Sequence, residues 1–151
     1  MAGWTNKGKF FYLGLVVRNA TEPTSFYLAL ITDATVPGAD HNTLSQFTEI
    51  AAGNGYTSGG ISVARDSTDF DVLTEDDAND VAYWQMKDMV WTASGGAIPG
   101  SGDGARYAVM TDDNGTVGSR EVYHFWDLTS DRTVSDGQPL TLQNVEARLT
   151  E

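Results

Sequence analysis

The sequence contains no cysteine, and among its 151 residues only three are lysine and two histidine. Without thiols there is no disulfide framework, thiolate zinc site, iron–sulfur cluster or cysteine nucleophile. Positive charge is scarce: nine Lys and Arg stand against twenty-one Asp and Glu, for a net charge of −12. A chain this acidic repels phosphate backbones and anionic lipid, so neither nucleic acid nor a membrane is an expected partner. Long apolar runs are missing as well. The longest, Phe10 to Val17, is far below the roughly 20 residues of a membrane span. The opening Met1-Ala2-Gly3-Trp4-Thr5-Asn6 has no basic region leading into an apolar stretch with a cleavage signature. The expectation is therefore assembly in a cytoplasm without an export signal.

What is present is a globular composition, 40% hydrophobic with 16 glycines. A chain of this length buries roughly two thirds of its unfolded surface and forms one domain, here residues 1–151. From Thr5 or Asn6 to Arg18 a helix is expected, with Phe10, Leu13 and Val17 at i, i+3, i+7. Gly8 and Gly14 weaken it by about 1 kcal/mol each relative to alanine. After Pro23, Phe26–Thr32 reads as a strand apolar on both faces. Thr43 and Gln46 have capping-box spacing and predict a short helical turn. Beyond it, turns and short strands alternate. Val81–Trp91 reads as one strand, Arg106–Met110 and Arg120–Leu128 as a pair joined at Asn114-Gly115. In the last strand, Leu140 and Leu142 share one parity, while Val145, Ala147 and Leu149 take the other, which predicts a bulge near Asn144. The sum is a mainly β domain, a β-sandwich or jelly roll with one N-terminal helix and one short helical turn.

Reactive chemistry is hard to place. His41 sits in a turn beside Asp40 and reads as solvated or capping, and His124 lies mid-strand among aromatics and reads as packed and hydrogen-bonded. No serine occupies a G-x-S-x-G elbow; Gly55-Tyr56-Thr57-Ser58-Gly59 misses the spacing. Gly53-Asn54-Gly55 with Gly59 imitates a dinucleotide loop, but the third glycine comes one position late and no βαβ unit surrounds it. Seven acidic residues crowd Asp66–Asp80; without an EF-hand glycine they read as a solvated acidic loop rather than a calcium site. Paired carboxylates across a sugar-sized cleft would suit glycoside hydrolysis, yet nothing in the sequence places such a pair. No catalytic residue, metal ligand or cofactor is expected.

Sixteen aromatics suggest contact surfaces, because such side chains bury large area at low entropic cost. Strands 26–32 and 83–91, apolar on both parities, suggest burial under another element or another subunit. Candidate interface residues are Trp4, Lys7, Lys9, Phe10, Phe11, Trp84, Trp91 and Trp126, with residues 1–9 as a possible contact arm carrying two of the three lysines.

Three stretches carry a resemblance. They are Phe26–Thr32 with Asn42–Ser45 and Glu49–Gly60; Ala105–Asp113; and Asp131–Gly137. Together they resemble a family of small virion structural proteins of tailed bacteriophages. Met110-Thr111 departs mildly from a leucine and tyrosine there. The resemblance implies a non-enzymatic cement or decoration protein on the outside of an assembled icosahedral shell. Its partners would be the major capsid protein and further copies of itself, as dimer or trimer. A tail, neck or head-fibre component is the alternative within the virion, and a carbohydrate-binding β-sandwich module the alternative outside it.

Overall fold

A computed structural model describes residues 1–150. Ten strands, one α-helix and two 3₁₀ turns follow one another as β1 (Ala2–Trp4), α1 (Asn6–Arg18), β2 (Ser25–Ile31), a turn at Leu44–Gln46, β3 (Ile61–Ala64), β4 (Val72–Asp76), β5 (Val81–Met86), β6 (Met89–Thr92), β7 (Ala105–Thr111), a turn at Val117–Ser119, β8 (Val122–Arg132), β9 (Pro139–Leu142) and β10 (Val145–Thr150). The first layer is a five-stranded sheet ordered β1-β8-β7-β2-β3, antiparallel throughout. The second is split into a three-stranded sheet β10-β5-β4 and a two-stranded sheet β6-β9. The domain is mainly β and sandwich-like, as its turn-punctuated sequence predicts.

The principal core lies between the layers. Leu28, Leu30, Ala108, Met110 and Trp126 from the first meet Met86, Met89, Trp91, Leu140, Leu142, Val145 and Ala147 from the second. A smaller core covers the opposite face of the five-stranded sheet, where Ala29, Ile31, Val109, Val122 and Phe125 pack under Leu44, Phe47 and Val117. The two-faced apolarity of β2 is therefore satisfied inside the chain. Both 3₁₀ turns form this lid, and the second, Val117–Ser119, was not expected from the sequence. The first is the expected one: Gln46 Oε1 accepts from the Thr43 amide at 2.9 Å.

Helix α1 starts where its cap predicts. Thr5 Oγ1 accepts from the Gly8 amide at 2.9 Å, and the same hydroxyl donates to the Val122 carbonyl at 2.5 Å. It ends at Asn19, left-handed at φ 48°. Its orientation corrects the sequence reading. Gly8 and Phe11 are buried and Tyr12 and Leu15 half-buried, whereas Phe10, Leu13 and Val17, the expected stripe, face solvent. Gly8 sets this choice, because a Cβ there would lie 2.1 Å from the Tyr123 carbonyl oxygen. The glycine lets helix backbone rest on β8.

Four further expectations change. Val81–Trp91 is two strands in two sheets, broken at Lys87-Asp88, where Lys87 donates its amide to Asp69 O at 3.0 Å and pairs with the Asp69 carboxylate. The Asn114-Gly115 connection is not a two-residue hairpin. It spans 112–121, with Asp112 Oδ1 accepting from the Glu121 amide at 3.0 Å and Asn114 Oδ1 from that of Thr116 at 2.9 Å. Asn144, at φ 55°, is a left-handed corner passing the chain from β9 in one sheet to β10 in another, rather than a bulge in one strand. Within the acidic stretch, Val72–Asp76 is a strand.

Candidate docking surface

Three of the four tryptophans converge inside the chain. Trp4 and Trp126 flank His124 with ring centroids at 4.8 and 4.4 Å, and Trp84 closes the cluster 6.3 Å from Trp4 and 6.1 Å from Trp126. The Trp4 indole donates to the Arg148 carbonyl at 2.9 Å and the Trp126 indole to that of Glu146 at 2.6 Å. Both carbonyls belong to β10, an edge strand, so two indoles from the five-stranded sheet tie it to the three-stranded one. His124 is buried, its Nδ1 has no hydrogen-bond partner among the described residues, and burial lowers its pKa to about 3. Trp91 lies elsewhere in the core, 6.3 Å from Tyr56. Phe11 stacks on Tyr123 at 4.4 Å. Five of the eight candidate interface residues, Trp4, Phe11, Trp84, Trp91 and Trp126, are thus held in intrachain packing. Trp4 and Trp84 are half-buried, and Trp91 and Trp126 are buried.

The supposed arm also folds back. Ala2–Trp4 pairs with β8 in the register Ala2↔Trp126, Gly3↔Phe125, Trp4↔His124, and residues 6–9 are the first turn of α1. Lys7 bridges to Glu121 at 2.7 Å.

Lys9 and Phe10 remain on the surface, and they belong to a larger feature. Phe10 (70% exposed), Leu13 (63%), Val16 (84%) and Val17 (70%) form the outer face of α1. A helix apolar on all sides is ordinarily buried on all sides, yet half of this one is in water. Four large side chains of this kind would each gain roughly 1.5–3 kcal/mol on full burial. Lys9 and Arg18 stand at the two ends of the face. Every other basic residue among those described is engaged. Lys7, Arg65, Lys87, Arg106 and Arg148 pair with carboxylates, Arg120 donates to the Gly59 and Asn114 carbonyls, and Arg132 to that of Leu128. On a molecule of net charge −12, the two free cations therefore flank the one exposed apolar helix face. That surface complements an apolar strip bordered by carboxylates.

The remaining motifs resolve into architecture. Glu49 accepts from Tyr56 Oη at 2.6 Å, Ser58 Oγ at 2.8 Å and the Gly59 amide at 2.5 Å, so the glycine-rich loop is already closed on an internal carboxylate. Arg120 lies 3.7 Å above the Tyr27 ring and holds the same loop through Gly59 O. His41 Nδ1 accepts from the Gly38 amide at 3.0 Å, fixing its own turn. Among the described residues no three His, Asp or Glu side chains are grouped to hold a metal ion, and no helix is long and apolar enough to cross a membrane. Comparison with protein-family models, curated proteins and solved structures finds no match to this chain.

Proposed function

We propose that this chain is a non-enzymatic structural protein of a tailed-bacteriophage virion, of the cement or decoration type. It docks through α1 on the outside of the assembled shell and bridges neighbouring capsomers of the major capsid protein. The observation that carries docking is the solvent-exposed apolar face of α1 with Lys9 and Arg18 at its ends. The virion assignment is supported by the resemblance of residues 26–32, 42–45, 49–60, 105–113 and 131–137 to such proteins. The acidity of the rest of the surface favours the exterior over the DNA-filled interior, where phosphate would repel it. Dimers or trimers then arise where the symmetry of the shell brings copies together.

The test is copy number in purified particles, by quantitative mass spectrometry against the major shell protein. The proposal expects a count equal to the shell protein or a simple fraction of it. A few copies per particle would move the chain to tail, neck or fibre, and its absence from particles would overturn the virion reading.

A further inference from the structure

The three-stranded sheet has two edges, and they are treated differently. The β10 edge is covered by the indole N–H groups of Trp4 and Trp126. The β4 edge has no partner strand among the described residues. Beside β4 runs an open groove of about 380 Å³ between that strand and α1, lined by Phe11, Tyr12, Leu15, Phe70, Leu73 and Trp84. Leu73 lies opposite Trp84 in the β4–β5 register and is 82% exposed over this groove. Because side chains alternate along a strand, Glu75 falls on the same face as Leu73, and exposed Asp71 immediately precedes the strand, two residues before Leu73. Neither forms a salt bridge among the described residues. The other charged groups at the groove are engaged: Arg65 with Glu22, and Asp66 with the amides of Thr68 and Asp69.

We propose that the β4 edge is a second docking site, which takes an extended segment of another protein by strand addition. An added strand satisfies its backbone on β4 and sets its alternate side chains opposite those of β4. The stretch Asp71-x-Leu73-x-Glu75 then specifies a basic-x-apolar-x-basic segment, whose central side chain covers Leu73 and enters the groove. Symmetric antiparallel β4–β4 pairing of two copies about Leu73 is disfavoured by charge, because it sets Asp71 against Glu75. The site stands apart from the outer face of α1 and does not depend on the virion reading.

The experiment titrates the isotope-labelled full chain with two blocked peptides, Lys-Thr-Leu-Thr-Lys and Glu-Thr-Leu-Thr-Glu, and follows backbone amides by NMR. The expected result is saturable shifts and slowed hydrogen exchange at residues 72–76 with the basic peptide alone. The double variant D71K/E75K should weaken the basic peptide about tenfold and bind the acidic one instead, since two attractive cross-strand pairs become repulsive. Both positions are exposed, and an unchanged amide spectrum away from β4 shows that the variant has kept its fold. Shifts outside β4, equal response to both peptides, no response to either, or a preference that survives the charge swap would each overturn the proposal.

Discussion

His124 shows how a single buried side chain ties the stability of the fold to pH. Its imidazole is enclosed by Trp4 and Trp126 and stays neutral, its pKa lowered to about 3 by burial. The unfolded chain binds a proton near pH 6.5 and the folded chain does not, so stability falls as pH drops, by about 1.4 kcal/mol per pH unit below roughly 6.5. Asp69, held low by the hydrogen bond from Lys87, and Asp127, held low by the Thr129 amide, keep their contributions until pH falls below the ordinary carboxylate range. Asp112, raised by burial, acts with the opposite sign, because the folded state takes up its proton first. All three are common to wild type and variant. His124→Phe should therefore flatten the loss between pH 6.5 and 4, as measured by urea unfolding at several pH values, whereas parallel curves for the two proteins would refute this. Gly8 gives a second prediction, opposed to helix propensity. Propensity alone expects Gly8→Ala to stabilise α1 by about 1 kcal/mol. The contact with the Tyr123 carbonyl predicts instead a loss of about 1–3 kcal/mol, the usual range for overpacking, and a raised melting temperature would contradict it. Residue types were legible here without their partners. His124 is packed as its position suggests, yet its Nδ1 lacks the expected hydrogen bond among the described residues, and the tryptophans suggested an interface because the carbonyl that satisfies Trp126 lies on Glu146, in another sheet.

At the scale of elements, boundaries marked by local chemistry were readable and orientations were not. Thr5 and the Thr43–Gln46 box mark their elements through bonds made within a few residues, and Pro23 by its fixed φ and missing N–H. The inward face of α1 was hidden, because a helix with Phe10, Phe11, Tyr12, Leu13, Leu15, Val16 and Val17 is apolar in nearly every direction. What decides it is the bare backbone at Gly8, a tertiary contact. Strand β4 was concealed for the opposite reason: only Val72 and Leu73 are large and apolar in its five residues, so its acidic neighbours read as loop. Lys87-Asp88, inside what reads as one strand, is the point where the chain changes sheet. The candidate site was half legible, since Lys9 and Phe10 lie on the docking face while Leu13, Val16, Val17 and Arg18 were not singled out for it. The indole struts make a prediction at this scale. Trp126→Phe leaves the Glu146 carbonyl without its donor and should cost about 1–3 kcal/mol. Hydrogen exchange should quicken first in residues 145–150. Unchanged exchange there would mean that the strut does not hold β10.

For the whole molecule, charge and apolar exposure are distributed unevenly. A sandwich of net charge −12 carries its free Lys9 and Arg18 at the ends of an uncovered apolar helix face, and the proposed docking rests on that arrangement. Such contacts combine apolar burial, which salt leaves in place, with charge attraction, which salt screens. The double variant Leu13→Ser/Val17→Ser alters only exposed side chains and should change unfolding stability by less than about 0.5 kcal/mol. The most direct measurement adds purified wild-type protein and this variant to particles of the parent phage assembled without the protein, and reads bound copies by co-sedimentation at low and high salt. The account predicts saturable wild-type binding, weakened at high salt, and binding by the folded variant reduced at least about tenfold, as expected when two apolar anchors of an interface are removed. Equal occupancy of the particles by both proteins would contradict docking through α1.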